Sequence, residues 1–125
     1  EVKPRGEYVY ILDDDDYLID PNFVRQLKDH TEDVVFVGMS ILGRTLPDWS
    51  EGLRRGSIAV SCFAVRREVW REHLMDLIDD YSADFYFIES IMTCAQGHTW
   101  AKLERVVACA DRISNGQPEN ILALA

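Results

Sequence analysis

The sequence predicts an α/β domain in which a mixed, mostly parallel sheet is flanked by helices. Residues 8–12 (YVYIL) and 33–42 (DVVFVGMSIL) are apolar without alternation, which is typical of strands buried on both faces of a parallel sheet. Between them, Asp20 suits a helix N-cap and Pro21 the first helical position. The order strand, helix, strand predicts a βαβ unit with two parallel strands.

The remaining segments continue this pattern. The helix after Pro21 is expected to end near His30, and residues 43–57 form a glycine-bearing loop. Further strands are predicted over residues 58–65 and 100–110, and further helices over 67–78 and 83–96, the second with Ser82 as its N-cap. We expect residues 1–125 to form one domain. Because Glu1 is not a methionine and an apolar strand follows soon after it, we expect the chain to be a piece of something longer.

The charge balance excludes some partners. The chain has 22 acidic and 13 basic side chains, for a net charge of −9, which argues against nucleic acid because phosphate backbones are bound by clustered Lys and Arg. A phosphorylated substrate stays compatible if a metal ion lies between the two negative partners. No apolar run approaches the ~20 residues that span a bilayer. We therefore expect a cytoplasmic protein without a transmembrane segment.

Cysteine and histidine give no local motif. The spacing of the three cysteines, at positions 62, 94 and 109, matches no zinc-binding pattern, and we interpret them as buried free thiols. The three histidines, at positions 30, 73 and 98, are scattered and are predicted to lie at the surface. His98, at a predicted helix end, would interact there with the helix dipole.

Four aspartates follow the first predicted strand, at positions 13–16. Successive side chains of an extended chain alternate in direction, so Asp13 and Asp15 are predicted to point to one side. Two carboxylates there can bind one hard cation such as Mg²⁺ or Mn²⁺, which leaves other positions for water and phosphate. The ion would offset the repulsion within the run. The alternative is a solvated acidic turn with Asp20 as the helix cap.

The stretch GEYVYILDDDDYLIDPNFV (residues 6–24) resembles the middle of a family 2 glycosyltransferase. That family carries a strand ending in Leu-Asp-x-Asp-Asp, then a Leu and an Asp-Pro helix start, and residues 12–16 match the motif. YSADFYFIESIM resembles the helix with the catalytic base, where Ala83 replaces the usual Glu and Asp84 holds the base position. VACADRISNGQ resembles the segment closing the acceptor side, where Arg112 matches a frequent Arg.

The resemblance implies a partial GT-A (Rossmann-like) fold and an inverting sugar transfer from a nucleotide-sugar donor to a glycan or other hydroxyl acceptor. Asp13 and Asp15 would contact Mn²⁺ or Mg²⁺ and the nucleotide. Arg112 would contact the diphosphate or the acceptor, and Asp84 would take the acceptor proton. The nucleotide-binding half of the family has no counterpart in residues 1–125. The resemblance therefore implies that residues 1–125 are a fragment of a longer glycosyltransferase catalytic domain, and we expect this fragment to be inactive alone.

Two other functions stay open. The stretch DDDDYL partly fits the signature of haloacid dehalogenase phosphatases, Asp-x-Asp-x-Thr-Leu, but Tyr17 stands where that family has Thr. The chain could also be a non-catalytic α/β module that associates into a homodimer through an open sheet edge. In the loop, Trp49 is either an acceptor-stacking residue or a hydrophobic anchor.

Overall fold

The computed structural model describes residues 7–12, 16–54, 57–73, 83–94 and 97–110. Within these ranges the chain forms six strands, three α-helices and two short 3₁₀ turns. The strands are β1 (Tyr8–Tyr10), β2 (Asp16–Leu18), β3 (Val34–Ile41), β4 (Arg44–Leu46), β5 (Phe63–Arg66) and β6 (Trp100–Ala110). The helices are α1 (Phe23–Leu27), α2 (Arg67–His73) and α3 (Ala83–Met92), and the 3₁₀ turns cover Trp49–Glu51 and Val60–Cys62.

The strands form a single sheet that is mostly antiparallel. Its order is β1-β5-β3-β6-β2, and β4 pairs with β3 as a hairpin. Of the five pairings in the described part of the chain, β3 with β6 is parallel and the other four are antiparallel. The prediction of a mostly parallel, Rossmann-like sheet is therefore wrong.

The cause of this error is that strand burial does not fix strand direction. The unbroken apolar runs predicted strands covered on both faces, and β3 is such a strand, with Val34, Val35, Phe36 and Val37 all buried. The strand inserted between β1 and β3 is β5, which runs antiparallel to both. β1 and β3 therefore do run in the same direction, as a βαβ unit requires, but they are not neighbours.

Helices pack on both faces of the sheet. Tyr10 of β1 pairs with Ala64 of β5, and its ring contacts Phe23 of α1 edge-on, with 4.8 Å between centroids. The adjacent Phe63 stacks on Phe87 of α3 at 6.1 Å. Because successive side chains of a strand point to opposite faces, α1 and α3 lie on opposite faces. One continuous core of buried apolar side chains joins these elements.

Several element predictions are confirmed and others are wrong. The predicted strands over 33–42 and 100–110 and the start of the helix at residue 83 agree with β3, β6 and α3. α1 is shorter than predicted and starts after an Asn22 N-cap, while Asp20 accepts the Asn22 backbone N–H just before it. β4 lies in the predicted loop over residues 43–57, and β2 lies between the first predicted strand and the first predicted helix, where no strand was predicted. The predicted continuation of α2 to residue 78, and Ser82, lie outside the described residues.

No helix in the described part of the chain has the length and apolar character needed to cross a membrane. The longest, α3, has ten residues, whereas a span takes about 20.

The β3–β4 turn leads to a stability prediction. Leu42 and Gly43 connect the strands with φ of 50° and 76°, the two positive values that define a type I′ turn, where Asn-Gly is favoured. A non-glycine residue in this region costs about 1–2 kcal/mol, least for Asn. Leu42→Asn should therefore raise the free energy of unfolding by about 0.5–1 kcal/mol in urea denaturation.

Leu42→Ala is the matched control because it removes the same half-exposed side chain without relieving the backbone. Its stability should equal or fall below that of the original chain. Equal gains in the two variants would contradict the turn explanation.

Candidate functional site

The acidic site predicted from the sequence combines Asp13 and Asp15 of the Asp run with Asp84 and Arg112. Asp13, Asp15 and Arg112, three of the residues predicted for this site, lie outside the described residues. Asp16 is the first residue of β2, which pairs with the end of β6. Asp84 is in the first turn of α3, and its Oδ1 accepts the backbone N–H of Phe85 at 2.8 Å. This bond agrees with a helix-start acid and is compatible with a catalytic base.

Asp16 and Asp84, distant in sequence, act on the same buried thiol. Cys62 ends the second 3₁₀ turn and is fully buried. Burial is the largest cause of the raised pKa of the Cys62 thiol, which is about 12; a backbone hydrogen bond lowers this pKa, and the negative charges of Asp84 and Asp16 raise it. Two carboxylates from separate elements therefore act electrostatically on the same thiol.

The hydroxyl of Tyr10 interacts electrostatically with two of the same groups, Cys62 and Asp16. Burial raises the pKa of its hydroxyl, and Cys62 and Asp16 add to the shift. The hydroxyl donates a hydrogen bond to the carbonyl oxygen of Ser61 at 2.7 Å. Because both Tyr10 and Cys62 hold their protons at neutral pH, they add no negative charge beside the carboxylates. The negative charge that acts on the thiol therefore comes from the carboxylates of Asp16 and Asp84.

An ion pair fixes the segment that follows the Asp run. Asp20 is buried, and its Oδ2 lies 2.8 Å from Nε of Arg105 in β6. Its Oδ1 accepts the Asn22 N–H at 2.9 Å. In addition, the backbone N–H of Ile19 donates to the carbonyl oxygen of Val107 at 2.7 Å. These bonds attach β2 and the start of α1 to β6, which fixes the position of Asp16 relative to the sheet.

An aromatic cavity of about 460 Å³ lies beside β3 and β6. Trp49 forms part of its wall, lies nearly parallel to Trp100 with 6.3 Å between ring centroids, and contacts Phe36 edge-on at 5.2 Å. Nζ of Lys102 lies 3.9 Å from the centre of the Trp49 ring. Because the ammonium group covers that ring face, a sugar cannot stack on it without displacing Lys102. The contacts favour the anchoring role predicted as the alternative for Trp49.

A second group of possible metal ligands lies at the other end of α3. His73 ends α2, Cys94 follows α3, and His98 precedes β6. One ligand atom from each lies within 4.8 Å of the others. The prediction that the histidines lie at the surface is wrong for His73, which is 9% exposed, and for His98, whose side chain is 7% exposed.

The group of His73, Cys94 and His98 is not visible in the sequence, because its members come from three different segments of the chain. The one local signal was the spacing of Cys94 and His98, four residues apart at a helix-to-strand junction. The common zinc-binding sequence patterns contain two closely spaced ligand pairs, and a single Cys–His pair does not match them. His73 could not have been added from the sequence, because only the packing of α2 against α3 brings it near.

Comparisons with protein-family models, with curated proteins and with solved structures found no match to this chain. The likeness to family 2 glycosyltransferases therefore depends on the motif residues alone.

The buried thiol gives a pH prediction. The pKa of Cys62 rises from 9.0 to about 12 on folding, so above pH 9 the unfolded chain releases a proton that the folded chain keeps. The contribution of Cys62 to stability is then fully present below pH 9 and is lost as pH rises towards 12. The free energy of unfolding in urea should fall more steeply over this range in the original chain than in Cys62→Ala.

Cys109→Ala, which removes a half-buried thiol, should keep the original slope. As a second measurement, Cys62 should resist iodoacetamide in the folded chain, because the thiolate is the nucleophile. Rapid native alkylation of Cys62 would contradict its assigned burial and protonation.

Proposed function

We propose that this chain supplies the acidic, acceptor-side part of a metal-dependent glycosyltransferase. It is supported in the structure by Asp16 and Asp84, whose negative charges both raise the pKa of the buried Cys62 thiol. The resemblance of residues 6–24 to the family motif supports the same assignment.

The donor set fits a hard divalent cation. Carboxylate oxygens are the ligands that Mg²⁺ and Mn²⁺ prefer, and we propose Asp13 and Asp15 as the pair that binds the ion. Such an ion would offset the charge of a nucleotide-sugar diphosphate as it departs. Arg112 is proposed to contact the diphosphate or the acceptor. The nucleotide sugar and a glycan or other hydroxyl acceptor are then the substrates.

Asp84 is proposed to act as the general base. Its carboxylate would accept the proton of the acceptor hydroxyl while that oxygen forms a bond to the anomeric carbon. The bond from the anomeric carbon to the diphosphate oxygen breaks, and the electron pair leaves with the diphosphate. This single displacement inverts the anomeric configuration. The half-buried position of Asp84 leaves part of its carboxylate accessible to an acceptor.

The test measures binding, since the resemblance covers only the acceptor side of the family. Mn²⁺ is titrated by calorimetry into the original chain and into Asp13→Ala/Asp15→Ala. The double variant should bind Mn²⁺ roughly tenfold more weakly or worse, a change of about 1.4 kcal/mol or more. A nucleoside diphosphate should tighten Mn²⁺ binding to the original chain only.

Asp79→Ala/Asp80→Ala is the matched control because it removes the same charge from two aspartates elsewhere in the chain, and it should bind Mn²⁺ normally. Asp84→Asn should also keep Mn²⁺ affinity, because the proposed base is not a ligand. Equal Mn²⁺ binding in the original chain and the Asp13/Asp15 variant, or no binding in either, would contradict the proposal.

A second candidate function, self-association, is favoured by a specific surface. In the described part of the chain β2 is an edge strand, and it and the next residue expose Tyr17, Leu18 and Ile19 at 56%, 43% and 51%. Unpaired strand edges with apolar side chains tend to pair with another chain. Sedimentation equilibrium should then detect a dimer that Leu18→Lys abolishes, whereas a monomer at all concentrations would exclude this function.

A further inference from the structure

We propose that His73, Cys94 and His98 bind one Zn²⁺ ion, at the end of α3 opposite to Asp84. This site is independent of the glycosyltransferase proposal, because it uses none of the same residues. The main support is the hydrogen bonding of the two ring nitrogens of His98.

His98 has a ring nitrogen that is prepared for a metal. Its Nδ1 lies 3.0 Å from Oδ2 of Asp33. Because a carboxylate only accepts hydrogen bonds, Nδ1 carries a proton, and in the neutral ring Nε2 then has the lone pair. That Nε2 is buried and has no hydrogen-bond partner among the described residues, although an unpaired buried polar atom destabilises the fold. A metal ion at Nε2 would remove this destabilisation.

The contact between His98 and Asp33 resembles the histidine–carboxylate hydrogen bond found at many zinc sites. A metal-binding histidine usually donates its other N–H to a carboxylate or carbonyl, which fixes the ring and strengthens the ligand. Asp33 is itself held in place, since its Oδ2 accepts the Thr99 backbone N–H at 3.3 Å and its own N–H donates to Thr99 Oγ1 at 2.9 Å. The orientation of His98 is therefore set before a metal binds.

The other two ligands converge from the neighbouring helices. Nδ1 of His73 lies 2.9 Å from Oγ of Ser90 in α3, and the rings of His73 and His98 meet edge-on with 5.6 Å between centroids. Cys94 is a half-buried free thiol, and its carbonyl oxygen accepts the Gly97 N–H at 2.9 Å, which closes the turn towards His98. Helix packing and a tight turn therefore bring the three groups together.

The donor set selects the metal. Two imidazoles and one thiolate are ligands for Zn²⁺, whereas Mg²⁺ and Ca²⁺ prefer oxygen. Tetrahedral Zn²⁺ with bonds of about 2.0–2.3 Å places ligand atoms about 3.3–3.6 Å apart, so the present limit of 4.8 Å requires an approach of about 1 Å. No fourth ligand joins the group among the described residues, which leaves one position for water or another ligand.

Binding is coupled to proton release. The Cys94 thiol loses its proton to the buffer as the sulfur–zinc bond forms, because the thiolate is the metal ligand. Calorimetry in buffers of different ionisation enthalpy should therefore detect the release of about one proton per Zn²⁺ near neutral pH. This value separates thiolate ligation from binding to carboxylates, which are already ionised.

The direct test uses Co²⁺ and Zn²⁺ on the reduced, metal-free chain carrying Asp13→Ala/Asp15→Ala, so that the Asp run does not contribute. Co²⁺ should bind in a 1:1 ratio with a thiolate-to-cobalt charge-transfer band, and Zn²⁺ should displace it. Cys94→Ser should lose the band, and Cys94→Ser and His98→Gln should each weaken Zn²⁺ binding roughly a hundredfold or more, since one of three ligands is lost. Asp33→Asn, which keeps an acceptor for His98, should weaken it about tenfold.

The matched controls are Cys109→Ser and His30→Gln. His30 also has a carboxylate partner, since its Nδ1 lies 2.9 Å from Oε1 of Glu32, but it is not one of the three proposed zinc ligands. Both controls should bind Zn²⁺ normally. The Zn²⁺ site is overturned if the charge-transfer band is absent from the parent chain, if it survives Cys94→Ser, or if His98→Gln, shown by circular dichroism to be folded, keeps full affinity.

Discussion

The burial of β3 between β5 and β6 is the constraint on which the rest of the structure depends. Val34 and Val35 are fully buried, and burying a valine side chain contributes about 1.5–3 kcal/mol. β3 also approaches β6 closely at Gly38, where a Cβ would lie 3.1 Å from the carbonyl oxygen of Arg105. The register between the two strands shifts on both sides of this glycine. The absence of a side chain there allows the long parallel pairing to continue through the irregularity.

This pairing determines where the chemical groups lie. Asp33 immediately precedes β3, and His98 and Thr99 immediately precede β6. Because the two strands are parallel and Val34 is opposite Trp100, their starts lie together and Asp33 reaches His98. At the other end of β6, Ala110 pairs with Asp16. A shift of β6 by one residue would turn its side chains to the opposite face and would disturb both the acidic region and the His98 contact.

The sequence predicted what periodicity and local chemistry determine, and missed what depends on distant contacts. β3, β6 and the start of α3 have long apolar patterns, so they were predictable. The direction of β5 was not, because a strand covered on both faces has the same composition in either orientation. β2 was missed since its three residues expose Tyr17 and Leu18 and are ordered by pairing with β6. The turn at Leu42 lacks the usual Asn, so the hairpin gave no signal.

The candidate sites show the same division. The Asp run and Asp84 could be singled out because a carboxylate cluster and a helix-start acid are visible in the chain. The effect of Asp16 and Asp84 on one buried thiol could not be predicted, because it depends on the packing of distant elements around Cys62. His98 was predicted to be exposed because it follows a predicted helix end, whereas its side chain is buried beside Asp33. The partner of the second ring nitrogen orients a metal-binding histidine, and for His98 that partner is distant in sequence.

Asp84 and the proposed Zn²⁺ site lie at opposite ends of α3, and this arrangement has a structural consequence. A helix of ten residues is about 15 Å long, so a Zn²⁺ ion would interact only weakly with the Asp84 carboxylate through solvent. The ion would nevertheless constrain the helix that carries Asp84. Zn²⁺ at Cys94 would connect the end of α3 to α2 and to the start of β6, which would limit rotation and sliding of the helix. Because Asp84 lies in the first turn of α3, a fixed far end would hold its carboxylate in a constant position relative to Asp16. The oxygen ligands proposed at Asp13 and Asp15 and the nitrogen and sulfur ligands proposed at His73, Cys94 and His98 would select different ions, so that each site could be filled without competition from the other.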